Sequence, residues 1–270
     1  FVPSVNVLWR PRGDMTVRGA YSQTVDRPEF RELAPFQFTE ATSLRQLFGN
    51  PSLTSAGIQA ADLRADWFPS PWELFSVGAF YKHLTDPVEQ VFIAAASTAY
   101  SYQNAAAADI YGVEMDAQFR LGRALPALEN WSVSTNLTLI HSSVDVRETG
   151  VFLPTSLSRP LEGQAPYVLN LGLNWTIPAG WDAGVFYNRL GKRLTAAGGF
   201  GLPVIYMQPR NGLDASLRIP SGQDGYLRVK ATNLLDESFL YNQSGNGITR
   251  MQQVYYTGRM FSMKLGWVVF

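Results

Sequence analysis

From Ile110 to Leu121 the side chains separate by parity. Tyr111, Val113, Met115, Ala117, Phe119 and Leu121 form one set, and Gly112, Glu114, Asp116, Gln118 and Arg120 form the other. Successive side chains of a β-strand point to opposite faces, so the segment predicts a strand with one apolar and one charged face. The pattern recurs along the chain. Phe75, Val77, Ala79 and Tyr81 oppose Ser76, Gly78 and Lys82, and Tyr167, Leu169, Leu171, Leu173 and Trp175 oppose Asn170, Gly172 and Asn174. Leu213, Ala215, Leu217 and Ile219 likewise oppose Asp214, Ser216 and Arg218. Period-2 alternation predicts eleven strands, near residues 4–10, 15–24, 57–68, 73–84, 107–121, 130–141, 166–177, 181–191, 211–219, 225–233 and 258–270. Their lengths bracket the roughly 9–11 residues with which a tilted strand crosses a bilayer. The pattern predicts an all-β fold, a transmembrane antiparallel up-and-down β-barrel.

The connections strengthen that reading. Five are short or turn-like: Pro11-Arg12-Gly13-Asp14, Pro69-Ser70-Pro71-Trp72, Gly122–Glu129, Pro178-Ala179-Gly180 and Ser221-Gly222-Gln223-Asp224-Gly225. The other five are long, about 25–56, 85–106, 142–165, 192–210 and 234–257, and short alternates with long throughout. A membrane barrel has this rhythm, with tight periplasmic turns and long outer loops. A soluble Greek-key sandwich has no reason to keep it. Trp9, Trp67, Trp72, Trp131, Trp175 and Trp181 cluster near the short-turn ends, where an aromatic girdle would lie. An odd count of eleven strands puts the two chain ends on opposite sides, whereas single-chain bacterial barrels have even counts. Residues 1–270 are therefore expected to be the C-terminal portion of a larger barrel, a mature or truncated polypeptide beginning at Phe1 rather than Met. Alone, it would leave edges near residues 4–10 and 258–270 unpaired in lipid.

Composition acts mainly by exclusion. Lys plus Arg and Asp plus Glu balance at 22 each, which leaves no bulk field for nucleic acid. The absence of cysteine removes disulfide frameworks and thiolate metal sites. No apolar run reaches the length of a transmembrane helix, and the start of the chain has no signal-peptide pattern.

Seven segments stand out beyond the alternation: Asp26-Arg27-Pro28-Glu29-Phe30-Arg31-Glu32-Leu33-Ala34-Pro35-Phe36, Gly49-Asn50-Pro51-Ser52-Leu53, Ala79-Phe80-Tyr81-Lys82, Ile110-Tyr111-Gly112-Val113-Glu114, Leu161-Glu162-Gly163-Gln164-Ala165-Pro166-Tyr167, Thr232-Asn233-Leu234-Leu235-Asp236 and Gly258-Arg259-Met260-Phe261-Ser262. Together they resemble the C-terminal barrel half of TonB-dependent outer-membrane receptors, over nearly the whole chain and in the family's order. The resemblance implies a bacterial outer-membrane barrel of 22 strands of which about eleven are present here. It also implies an N-terminal plug domain and N-terminal strands outside this chain, and a periplasmic energy-coupling protein that acts on the plug to admit a substrate. Two departures stand out. Ser55-Ala56 replace the Pro-Glu pair that usually follows the Gly-Asn-Pro-Ser-Leu segment, and Phe270 falls on the opposite parity from Phe261, Met263, Leu265, Trp267 and Val269. An extra residue or a β-bulge would account for the second.

Candidate chemistry is sparse. Two histidines, His83 and His141, have no second ligand at metal spacing, so neither a metal site nor a cofactor is expected. His141-Ser142-Ser143 offers the residue types of a nucleophile and base, as in a barrel-embedded hydrolase, or an ordinary polar rim. Glu114 and Asp116 share a polar face and are expected to meet Arg120 and other inward arginines rather than to act as paired acids. Ala196-Ala197-Gly198-Gly199-Phe200-Gly201 lacks the lysine and hydroxyl of a phosphate-cradling loop and reads as an outer loop. Four Asn-X-Ser/Thr sequons, at Asn130, Asn136, Asn174 and Asn242, carry no weight in a bacterial context.

Ligand contact then falls to the long loops. Phe92, Tyr100, Tyr102, Phe200, Tyr206, Met207 and Tyr241 offer stacking and apolar contacts, and Arg27, Arg31 and Arg210 could pair with an anionic group. The same aromatics could instead pack the loops together, with Arg27–Glu32 bracing a bend. The expectation is a non-enzymatic receptor for energy-coupled uptake of an iron chelate, vitamin, oligosaccharide or peptide. The alternatives are a stand-alone pore or adhesin and, more remotely, the hydrolase.

Overall fold

A computed structural model of the chain describes residues 2–39, 46–93, 99–146, 154–177, 179–222, 225–245 and 248–267. Eleven strands form one continuous wall: β1 (Ser4–Arg12), β2 (Met15–Asp26), β3 (Ala56–Ser70), β4 (Glu73–Thr85), β5 (Ala107–Arg120), β6 (Trp131–Asp145), β7 (Tyr167–Thr176), β8 (Asp182–Leu190), β9 (Arg210–Ser221), β10 (Gly225–Thr232) and β11 (Met260–Trp267). Each pairs antiparallel with the next, and the sheet is open between β1 and β11. This is the up-and-down order that the alternating turns and loops predict. No helix among the described residues is long and apolar enough to cross a membrane.

Predicted and observed strand ends differ by a few residues. The largest extension is on β6, which runs on to Asp145 because Ser142 to Asp145 keep pairing with Ala107 to Ile110 of β5. The Gly122–Glu129 connection is two short 3-10 turns, Leu121–Arg123 and Pro126–Leu128, the second opened by its proline. Phe270, Pro178, Gln223 and Asp224, which figure in the predicted terminus and turns, lie outside the described residues.

Register carries each strand's parity across the wall. One polar row runs Thr16, Asp66, Ser76, Asp116, Asn136, Asn170 and Asn188 from β2 to β8. The row beside it on the other face joins Val17, Ala65, Val77, Met115, Leu137, Leu169 and Arg189, apolar until its last member at the loop end of β8. Val77, Met115 and Leu171 are 51%, 43% and 41% exposed, so no protein core covers this face. A continuous apolar surface of that extent needs an apolar solvent. At the short-turn end it carries Trp9, Trp67, Phe75, Phe119, Trp131, Trp175 and Trp267. Trp131 stacks on Trp175 at 5.4 Å, and Trp67, Phe75 and Phe119 form a chain at 5.6 and 5.9 Å. The Trp67 indole N–H donates to Asp14 of the first turn at 3.0 Å. Rings with an apolar body and a polar handle suit a membrane interface.

The closely packed, water-excluding clusters lie elsewhere, at the long-loop end. Val91, Ala105, Ala108, Val144 and Val146 make one, and Leu47, Tyr100 and Ala196 another. Gly112 of β5 is required by its neighbours. A Cβ there would sit 2.4 Å from the Leu139 carbonyl oxygen and 2.7 Å from the Phe80 ring.

Leu171 faces outward near the middle of β7, and Thr138 faces the polar side of β6. Leu171→Arg is expected to destabilise the protein in lipid vesicles by about 2–4 kcal/mol, and Thr138→Arg by much less, as read by denaturant unfolding.

Candidate functional site

The five long loops are built into one cap. Gln37–Thr39, Gln46–Phe48, Ala99–Asn104 and Val88–Ile93 form a four-stranded sheet in that order, with 46–48 and 99–101 running parallel. Arg193–Ala196, Ile205–Met207, Phe239–Gly245 and Ile248–Tyr255 form a second sheet. Each sheet therefore joins two loops that are distant in sequence. Phe92 of the first meets Phe200, from the loop of the second, edge-on at 6.0 Å, and Tyr100 at 5.6 Å.

Several of the segments that carry the family resemblance tie the loops together, while Ala79–Lys82 and Ile110–Glu114 belong to wall strands. Gly49 lies so close to Ala34 that a Cβ would overlap its carbonyl oxygen at 2.1 Å. That approach lets Asn50 donate its side-chain amide to the Tyr102 carbonyl at 2.8 Å, tying two loops. Asn104 binds the Thr54 backbone from the other side, through both its N–H and its carbonyl at 3.0 Å. Glu29 and Glu32 form a capping box on the short helix Phe30–Leu33, which fixes the predicted bend. Asn233, in the left-handed region at φ 55, donates to the Gly258 carbonyl at 2.8 Å and accepts from Arg210 at 3.0 Å.

A fully buried ion pair joins a further loop, 142–165, to the 85–106 loop. Arg159 grips Glu89 through both guanidinium nitrogens, at 2.7 and 3.1 Å, with side chains 4% and 2% exposed. Burial pushes the Glu89 carboxyl above its ordinary range, and the guanidinium opposes that rise. Burial also raises the Tyr102 and Tyr206 phenols, so both stay neutral hydroxyls.

The predicted contact residues occupy different stations. Tyr100 and Met207 are buried, at 3% and 1% exposure, within the loop packing. Arg210 is engaged by Asn233, by the Glu237 carbonyl at 3.3 Å and by the Phe239 ring at 4.2 Å. Tyr206 lies under the Lys192 ammonium at 4.2 Å, and Tyr241 pairs its hydroxyl with that of Tyr255 at 3.3 Å. Arg31 stacks on Phe38 at 5.2 Å with its side chain exposed, and Arg27 and Phe200 are exposed too. Phe92, Tyr100 and Phe200 are thus brought together, whereas Arg27 is not joined to them.

Below the cap the polar face is a connected network. Arg64 of β3 bonds Asp66 at 2.8 Å and Asp116 at 3.0 Å, and amide donors then run Asn136 to Asp116, Asn170 to Asn136 and Asn188 to Asn170. Asp116 thus meets an inward arginine as expected, but that arginine is Arg64, and the expectation that named Arg120 is corrected. Arg120 lies over the Trp72 ring at 5.2 Å, because it sits at the turn end of β5, two rungs from Asp116. A groove of about 570 Å³ follows the amide ladder, lined by Asn136, Asn170, Phe186, Asn188 and Asp214 among others.

Among the described residues no hydrogen bond joins His141 to Ser142 or Ser143. His141 and Ser142 point to opposite faces; His141 packs on Tyr111 at 5.1 Å, Ser142 accepts the Leu161 N–H, and Ser143 pairs with Ser158. No group of three His, Asp or Glu among the described residues is placed to hold a metal.

Glu89→Gln strands the buried guanidinium and is expected to cost about 3–5 kcal/mol, with Glu89→Leu/Arg159→Met costing less; native-state proteolysis of the loops reads both. Because folded Glu89 holds its proton more tightly than the unfolded chain does, stability falls as pH rises from the ordinary carboxyl range through its raised value. Arg159→Met removes the opposing guanidinium, so its deficit relative to the parent is expected to narrow on mild acidification. Asn50→Ala is expected to cost about 1 kcal/mol and to speed cleavage in both loops it ties.

A family model described as "TonB dependent receptor-like, beta-barrel" matches residues 1–234. The ferric enterobactin receptor PfeA of Pseudomonas aeruginosa aligns over 98% of this chain and 40% of its own, at 17% identity and a TM-score of 0.64. The copper transporter OprC aligns over 97% and 38%, at 14% identity and 0.70. The siderophore receptor PirA from Acinetobacter baumannii aligns over 88% and 37%, at 14% identity and 0.60. The chain thus spans about two fifths of the length of the solved receptors it resembles. None of the curated proteins matches it. With its strand order, its outward apolar face and its latched loops accounted for, the chain belongs to the TonB-dependent receptor-like β-barrel family and forms a wall in the bacterial outer membrane.

Proposed function

We propose that the chain is the C-terminal portion of a receptor for energy-coupled uptake of a metal complex. In this reading N-terminal strands complete the barrel, a plug domain fills it, and a TonB-type periplasmic protein acts on that plug. The observation that carries it is a cap of five mutually latched loops standing on a polar-lined wall, in a chain of this family. A passive pore has no need of loops tied so closely; a receptor that captures a scarce ligand does. The choice of a metal complex draws support from the neighbours, which include receptors for ferric enterobactin and a siderophore and a copper transporter.

First contact is assigned to Arg27, Arg31 and Phe200, which keep exposure at the cap surface. Two guanidinium groups suit an anionic chelate. Phe92, Tyr100, Met207 and Arg210 hold the loops in place beneath them, with Tyr102, Tyr206 and Tyr241 between the two roles.

The test is accumulation of radiolabelled ferric enterobactin and of radiolabelled copper by cells carrying the protein. Accumulation of at least one is expected, and its loss when the energy-coupling protein is deleted. Equal accumulation without that protein would mean a passive pore. Arg27→Ala/Arg31→Ala is expected to weaken capture about tenfold with the fold intact.

A further inference from the structure

An aromatic ring lies in the middle of the polar face. Phe186 projects from the centre of β8 among amides, hydroxyls and carboxylates, and 42% of it is exposed. Two glycines make its seat. A Cβ at Gly172, directly across on β7, would come within 3.3 Å of one edge of the ring, and a Cβ at Gly184, two positions back along β8, would meet the opposite edge at 2.9 Å. Glycine weakens the interior of a strand and marks a place of close approach. With both side chains absent, the ring lies along the wall and turns one face to the lumen.

The polar groups beside the ring are only partly used. In the amide ladder Asn136 and Asn170 each give one N–H and accept one, and the Asn188 carbonyl accepts none among the described residues. A side-chain amide has two N–H donors and two acceptor lone pairs, so Asn136 and Asn170 each keep a donor and an acceptor for a ligand. Asp214 stands directly across from Phe186 on β9 and accepts the Asn233 backbone N–H through one oxygen at 2.9 Å. Among the described residues no Lys or Arg forms an ion pair with it. Arg210, at the loop end of the groove, is already held by Asn233, the Glu237 carbonyl and the Phe239 ring. The groove of about 570 Å³ therefore combines an aromatic face, amides that both donate and accept, and one carboxylate.

We propose that this groove is a binding station for a neutral sugar ring of the imported cargo, an inference that rests on the uptake reading above and adds a chemical class to it. An anionic group finds no free cation there and meets the Asp214 carboxylate. A purely apolar group leaves the amides and the carboxylate unserved, at a cost for each polar group desolvated without a partner. A sugar ring suits both surfaces at once. Its C–H face packs on the negative face of the aromatic quadrupole, and its adjacent hydroxyls each donate and accept. Position agrees, because the groove starts at Arg210 and Asn233, at the foot of the loops, and runs down the wall to Asn136. Arg27 and Arg31 at the surface then take the anionic part of the cargo, and the groove takes its sugar.

The intact receptor, labelled with a fluorophore and held in a detergent without a sugar head group, is expected to retain neutral glycans on a glycan array. Phe186→Leu keeps apolar bulk over the glycines but loses the flat face. It is expected to weaken retention about tenfold with the denaturant midpoint unchanged, and Phe186→Tyr to keep retention at the parent's level. Asp214→Asn, which preserves an acceptor for the Asn233 N–H, is expected to weaken retention as well. Three results would overturn the assignment: no neutral glycan is retained, Phe186→Leu retains glycans as the parent does, or the Phe186→Leu loss is confined to ferric enterobactin. Should energy-coupled accumulation persist alongside any of these, the sugar station is lost and the uptake reading stands. Phe186-dependent retention in a protein whose accumulation does not need the energy-coupling protein keeps the station and removes the uptake reading.

Discussion

Every backbone N–H and C=O that enters the hydrocarbon must find its partner within the protein, since lipid offers none. An antiparallel wall with short turns at one end meets that demand strand by strand, and the rest of the architecture follows from it. Side chains on one face are released from making a core and need only match lipid. Those on the other face meet water or an internal partner and can carry charge. Only the flanks of the wall remain unserved. All nine residues of β1 are exposed, as are seven of the eight in β11, on both faces at once. The same constraint that builds the interior of the sheet therefore demands neighbours for its outermost strands.

With the outward face handed to lipid, close packing migrates to the loops. The Glu89–Arg159 pair, the Phe92–Phe200 contact and the Asn50 and Asn104 bonds each join segments from different hairpins. Desolvating a charged pair is costly, and truncating one partner costs more. Such a pair fixes the relative position of its loops better than it stabilises them. Backbone-directed amides act in the same way, because a misplaced loop leaves a buried donor unmet.

The wall was legible in the amino-acid sequence because parity is local. A strand of ten residues announces both its faces without reference to its neighbours, and the turn chemistry supplies the order. Parity does not give register, and register chose Arg64 rather than Arg120 as the partner of Asp116. The strands of the loop cap were illegible for two reasons. Segments such as Gln46–Phe48 and Ile205–Met207 are three residues long, and one of the two partners of each lies dozens of positions away. Glu89 and Arg159 are separated by 70 positions and share no motif. Arg218, Arg228 and Lys264 fall between these cases, since counting places each on a polar face but only pairing puts them in line.

The strands are not equally tall. β6 has 15 residues and its neighbour β7 has 10. Their pairing ends at Leu139 and Tyr167, and Ile140 to Asp145 run on beside their own returning loop, where Val144 and Asp145 pair with Arg159 and Ser158. Six residues amount to about 20 Å along the strand, before tilt is taken into account. Strand height therefore steps down from β6 to β7, and the loop that returns along β6 serves the backbone that β7 does not reach.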